Sequence, residues 1–89
     1  MYRRNGGQPI RDAIKRAGLS IPRLAARTKE IDPEGRGLSQ ALIGFYTSEG
    51  ASGRESASTR TTELMAAGLD SPIEELFGNH PNPPPIHAT

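Results

Sequence analysis

Residues 38–48, LSQALIGFYTS, carry the pattern that most constrains the rest of the chain, because they read as one short helix with two unlike sides. Ser39 is an N-cap, its hydroxyl placed to accept a hydrogen bond from a first-turn N–H, and Leu38 before it can staple onto Ile43. The helix therefore starts at Gln40. At about 100° per residue, Leu42, Ile43 and Tyr46 gather on one side, while Gln40, Ala41, Gly44, Phe45 and Ser48 gather on the other. The first side anchors the helix in a core. The second holds one amide, two very small residues and an aromatic ring, with no charge. Such a face is odd for contact with water alone and suits a surface that enters a groove.

Neighbouring segments supply partners for the anchored side. Pro9 fits a first helical turn, and Ile10, Ala13, Ile14 and Ala17 keep the i, i+3, i+4, i+7 spacing of helix one until Gly18 stops it. Ser20 caps helix two, with Pro22 tolerated in its first turn; Ile21, Leu24, Ala25 and Thr28 carry its stripe, and Arg23 and Arg27 lie outside. The stripe stops between Lys29 and Gly37, where Asp32-Pro33-Glu34-Gly35 has the composition of a type I turn, so an extended turn over 29–37 separates helices two and three. Residues 49–53, EGASG, are turn chemistry. Ser56 or Ser58 then caps helix four through Thr61, Met65, Ala66 and Leu69, where Gly68 costs about 1 kcal/mol against Ala but permits a close packing contact. Ser71 as N-cap and Pro72 at the first helical position open a short helix five with Ile73, Leu76 and Phe77. No segment reads as a strand.

The ends differ from this pattern. Residues 1–8 hold two arginines, two glycines and no apolar period, and are expected to form a flexible basic arm. Residues 78–89 have four prolines and too little apolar surface to fold, so a disordered tail is expected; a proline-rich ligand for a protein partner is the other reading of that composition. The expectation is one all-α domain over residues 9–77, a compact five-helix bundle. A chain of 89 residues buries only a thin core.

Composition narrows the function classes. No cysteine is present, which excludes disulfide staples and thiolate zinc sites. No apolar run approaches the roughly 20 residues that span a bilayer, and the first residues lack the apolar stretch of a signal peptide, so the expected location is cytoplasmic with no membrane partner. His80 and His87 both lie in the proline-rich tail with no acid or hydroxyl arranged beside them, so no catalytic residue, metal site or cofactor is expected. Charge is more informative than the net value of +1: nine of the eleven basic residues fall at or before Arg36 against four acids, and two fall after it against six. That asymmetry fits a polyanion-facing end, and it also fits chance clustering in a small chain.

The strings IRDAIKRAGLSIPRLAART, GLSQALIGFYTSEG and ELMAAGLDSPIEELF, taken in order, resemble the XRE family, the Cro and phage-repressor type of helix-turn-helix regulators. The features that carry the likeness are Gly18-Leu19-Ser20, Ala25, Ser39 with Ile43, Tyr46 with Gly50, and Gly68-Leu69-Asp70 leading to Glu74-Glu75-Leu76-Phe77. They cover residues 9–77. The extended turn between helices two and three departs from the tight turn usual in the family, and the outer side of helix three carries no Lys or Arg.

The resemblance implies a phage-repressor-like bundle with helix three in the major groove of double-stranded DNA and the start of helix two on the phosphate backbone, in a nucleoid-associated, repressor-like transcriptional regulator. Gln40 could then pair with adenine N6 and N7 and Ala41 touch a thymine methyl, with Gly44 allowing close approach. Phe45 has two readings, a thymine methyl or packing under the following loop; Gln40 has the second reading of a solvated residue. Ser20, Arg23, Arg27, Arg36, Ser39 and Arg54 are the expected phosphate contacts. Arg3 and Arg4 fit either a minor-groove arm or a mobile terminus. A homodimer is expected if two half-sites are read, with Ile73 and Phe77 as its apolar surface. The rival reading is the same fold used as a protein-interaction module for another regulator, a polymerase or a toxin.

Overall fold

Leu24, Ile43, Met65, Leu76 and Phe77 are fully removed from solvent, and the elements that bring them together define the architecture. The computed structural model describes residues 1–48 and 55–79. Five helices, α1 (Gln8–Arg16), α2 (Ile21–Ile31), α3 (Gln40–Thr47), α4 (Thr59–Leu69) and α5 (Ile73–Leu76), are joined by two short antiparallel strands, β1 (Tyr2–Arg3) and β2 (Phe77–Gly78). The central helix α2 packs on both α3 and α4. Its crossing with α4 depends on Gly68: a Cβ there would lie 2.9 Å from Leu24 Cδ1 and 3.1 Å from Thr28 Cγ2. The close packing expected of that glycine is present.

Capping follows the expected chemistry at three helices. Ser20 Oγ accepts from Arg23 N at 3.4 Å, Ser39 Oγ from Leu42 N at 3.0 Å, and Ser58 Oγ, of the two serines considered, from Thr61 N at 3.2 Å. At α5 the expectation fails. Pro72 is the N-cap, and the Ser71 hydroxyl instead donates to Leu69 O at 3.2 Å, where Asp70 turns the chain with a left-handed φ of 52°.

Two strands replace features read as helix and arm. Phe77 leaves α5 after one turn and enters β2, where it is buried and meets the Tyr46 ring edge-on at a centroid distance of 6.0 Å. It closes the core of a single chain and is therefore not a surface for pairing copies; Ile73 is half-buried against the same core. Residues 1–8 are likewise no flexible arm. Tyr2 and Arg3 pair with Gly78 and Phe77 on one side, and on the other Arg3 N donates to Glu55 O at 2.8 Å and Ala57 N donates to Met1 O at 2.7 Å. The first three residues thus run between two partners. Pairing across more than fifty residues leaves no periodic trace in a two-residue strand, which is why it was not legible locally.

The link between α2 and α3 is also tighter than the sequence suggests. α2 continues through Ile31, so Lys29, Glu30 and Ile31 belong to the helix and the connection comprises residues 32–39. Gly35 N donates to Asp32 O at 2.9 Å, closing the expected turn. Gly37, with φ of 65°, then passes so close to α2 that a Cβ would lie 2.5 Å from Lys29 N. Residues 49–54 and 80–89 lie outside the described residues, and with them the turn at 49–53, Arg54 and the proline-rich tail.

Candidate nucleic-acid interface

The anchored side of α3 is buried as its pattern requires: Ile43 is 0% and Tyr46 2% exposed, Leu42 is half-buried, and Leu38 packs in the same cluster. What fixes the helix axially comes from outside it. Leu38 N donates to Thr28 Oγ1 at 2.9 Å, and that hydroxyl donates to Ala25 O at 2.8 Å, so the approach to the N-cap is tied to α2. Behind it, the buried Asp32 carboxylate accepts the backbone N–H groups of Glu34 at 3.0 Å, Arg36 at 3.2 Å and Gly37 at 2.9 Å, and the Arg60 guanidinium at 2.5 Å. The Gly37 and Glu34 N–H groups, aided by Arg60 and opposed by burial, lower its pKa from 3.8 to about 2.

The other end of α3 has no basic residue in its last turn. Two guanidiniums from the N-terminal region supply the charge that its carbonyls attract. Arg3 Nη1 donates to Ser48 O at 2.6 Å and Tyr46 O at 3.2 Å, and Arg11 Nη1 donates to Thr47 O at 2.7 Å. Arg3 is 1% exposed and held from behind by Glu55 at 2.7 Å. Arg4 treats the end of α5 in the same way, donating to Glu74 O at 2.5 Å and Phe77 O at 3.2 Å. These three arginines therefore serve the fold, and neither Arg3 nor Arg4 forms a minor-groove arm. Nothing local distinguishes a capping arginine from a surface one; the visible signal was an α3 terminus with no cation of its own.

The remaining side of α3 carries the exposed residues of the helix. Gln40, Ala41 and Phe45 are exposed, Phe45 at 42%, and among the described residues no atom outside the helix's own backbone lies within 4 Å of where a Cβ at Gly44 would sit. These four base-contact candidates thus share one accessible strip, with Ser39 exposed at its head. Ser48 closes the strip differently, its hydroxyl donating to Gly44 O at 2.7 Å.

The phosphate candidates are more scattered. Arg36 lies three residues before the N-cap with its side chain 74% exposed, loosely paired with Glu34 at 3.8 Å. Ser20 is exposed at the head of α2. Arg27 lines a cleft of about 550 Å³ with Arg16, Leu69, Asp70, Ser71 and Glu75, to which α3 contributes no residue. Arg23 is roughly 40° from Arg27 around the helix and shares that flank. On the opposite flank stands Lys29, exposed, its backbone against Gly37; it belongs to the last turn of α2 and not to the turn expected over 29–37.

The chain matches no family model, no curated protein and no solved structure. Among the described residues no group of His, Asp or Glu could hold a metal ion, and no helix is long and apolar enough to cross a membrane.

Proposed function

We propose that the chain is a sequence-specific double-stranded DNA-binding regulator of the phage-repressor-like type, reading bases with the outer strip of α3 from the major groove. The observation that carries this reading is the strip itself. Gln40, Ala41, Gly44 and Phe45 form an uncharged face of one amide, two very small residues and an aromatic ring, on a helix fixed at both ends by groups outside it. The major groove is wide enough to admit an α-helix, and a side-chain amide such as that of Gln40 is a group that pairs bidentately with adenine. Fixing both termini limits the entropy lost when such a helix docks. Ser20 and Ser39 sit at helix starts, where a hydroxyl and nearby N–H groups suit phosphate oxygens.

Binding of the intact chain to random-sequence duplex, followed by fluorescence anisotropy from about 50 to 200 mM salt, tests the reading. A log–log slope of a few units is expected for about three to five phosphate contacts. Absence of binding at low salt would instead favour α3 as a docking face for a protein.

A further inference from the structure

We infer that the phosphate backbone is gripped by Lys29 and Arg36, on the α3 flank of α2 and the connection beside it, and not by Arg23 and Arg27; this rests on the DNA-reading proposal above. Phosphates that border a groove lie beside the helix inserted in it, so the cations next to α3 are the best placed to reach them. At about 100° per residue, Lys29 and Arg27 stand roughly 160° apart around α2. Thr28, which receives Leu38 N, and Lys29, whose backbone abuts Gly37, mark the side facing the α2–α3 connection. Arg27 faces the end of α4, in a cleft that also holds Asp70 and Glu75, and Glu75 is paired with Arg16 at 3.5 Å. Those carboxylates oppose a phosphate there.

Arg36 is presented on a connection that is already ordered. Its own N–H donates to Asp32 Oδ2 at 3.2 Å, and Gly37 N–H donates to the same oxygen at 2.9 Å, with Arg60 closing the clamp from α4. Its guanidinium is bound loosely, 3.8 Å from Glu34, whose side chain is also exposed and which a phosphate can displace. The longer connection between α2 and α3 thereby becomes a platform that places a cation beside the head of α3. It compensates for a helix face that has no charge of its own.

The test is anisotropy titration of the full chain on a random duplex across salt, for wild type and the single variants Lys29→Ala, Arg36→Ala, Arg23→Ala, Arg27→Ala and Glu34→Gln. All five side chains are exposed, and thermal melts establish that each variant is folded. Lys29→Ala and Arg36→Ala should each weaken binding about 5- to 10-fold near 0.1 M salt and reduce the slope by about one unit. Arg23→Ala and Arg27→Ala should stay within about twofold of wild type, and Glu34→Gln should bind more tightly because it frees Arg36 and removes a repelling charge. If Arg23→Ala and Arg27→Ala lower the slope while Lys29→Ala and Arg36→Ala leave it alone, the assignment is overturned and DNA reading stands. If the wild type itself binds no duplex, both fall together.

Discussion

Arg3 donates to the Ser48 carbonyl at 2.6 Å, which makes the second residue of β1 the cap of α3. The same guanidinium reaches Tyr46 O and is paired with Glu55, so one buried side chain joins the N-terminal strand, the end of α3 and the segment leading into α4. The orientation of the exposed strip on α3 is therefore set by a residue forty-five positions away in sequence.

Replacing Arg3 with Met keeps much of its volume and removes every one of those hydrogen bonds. Arg3→Met is expected to cost about 2–4 kcal/mol in urea denaturation, since it strands carbonyls at the end of α3 and removes the ion pair with Glu55. A flexible-arm role would predict no change in the urea midpoint.

Helix-level information was legible because it is local. The caps Ser20, Ser39 and Ser58, the buried Ile43 and Tyr46, and the close packing at Gly68 all follow from residue type and spacing. What escaped was long-range. β1 and β2 are too short to show a period, Arg3 looks like any terminal arginine, and the polar Lys29-Glu30 pair masks one further turn of α2. The charge asymmetry that pointed to a polyanion was partly a folding feature, because Arg3, Arg4 and Arg11 spend their charge on carbonyls at helix ends. The exposed strip of α3 was legible for the opposite reason: all its members lie on one helix.

Two glycines should respond in opposite directions. Gly7 has a φ of 87°, and a Cβ there would sit 2.5 Å from Tyr46 O, so Gly7→Ala is expected to destabilise by more than about 1 kcal/mol. Gly44 is helical, and among the described residues nothing would meet an added Cβ, so Gly44→Ala should raise stability by about 0.5–1 kcal/mol. The added methyl lies on the proposed groove-facing strip, and the same variant should bind duplex DNA more weakly. Thermal melts and anisotropy titrations on the two proteins check both statements, and a Gly44→Ala chain that is more stable and equally active would remove Gly44 from the interface.

Acid should loosen the α2–α3 connection. Asp32 has its pKa lowered from 3.8 to about 2, chiefly by the Gly37 and Glu34 N–H groups. Because the folded value is depressed, its contribution is complete above about pH 4 and is lost as pH falls toward 2. Urea midpoints measured from pH 5 to pH 2 should therefore fall more steeply for wild type than for Asp32→Asn. Parallel declines would assign the acid sensitivity to other carboxylates.

Contact and scaffold can be separated on α3 itself. Ile43→Ala empties a fully buried site and is expected to cost about 2–5 kcal/mol of stability. Gln40→Ala, three residues earlier on the exposed side, should leave the urea midpoint within about 0.5 kcal/mol of wild type.

The central claim is that the outer strip of α3 reads base sequence, and selection from a random double-stranded DNA pool tests it most directly when wild type, Gln40→Ala and Phe45→Ala are run side by side. Wild type should enrich a defined motif, and Gln40→Ala should relax it at one position of each site, with a loss of about 1–3 kcal/mol in discrimination against the wrong base. Failure of the wild type to enrich any sequence, or recovery of one unchanged motif by all three proteins, would contradict the account.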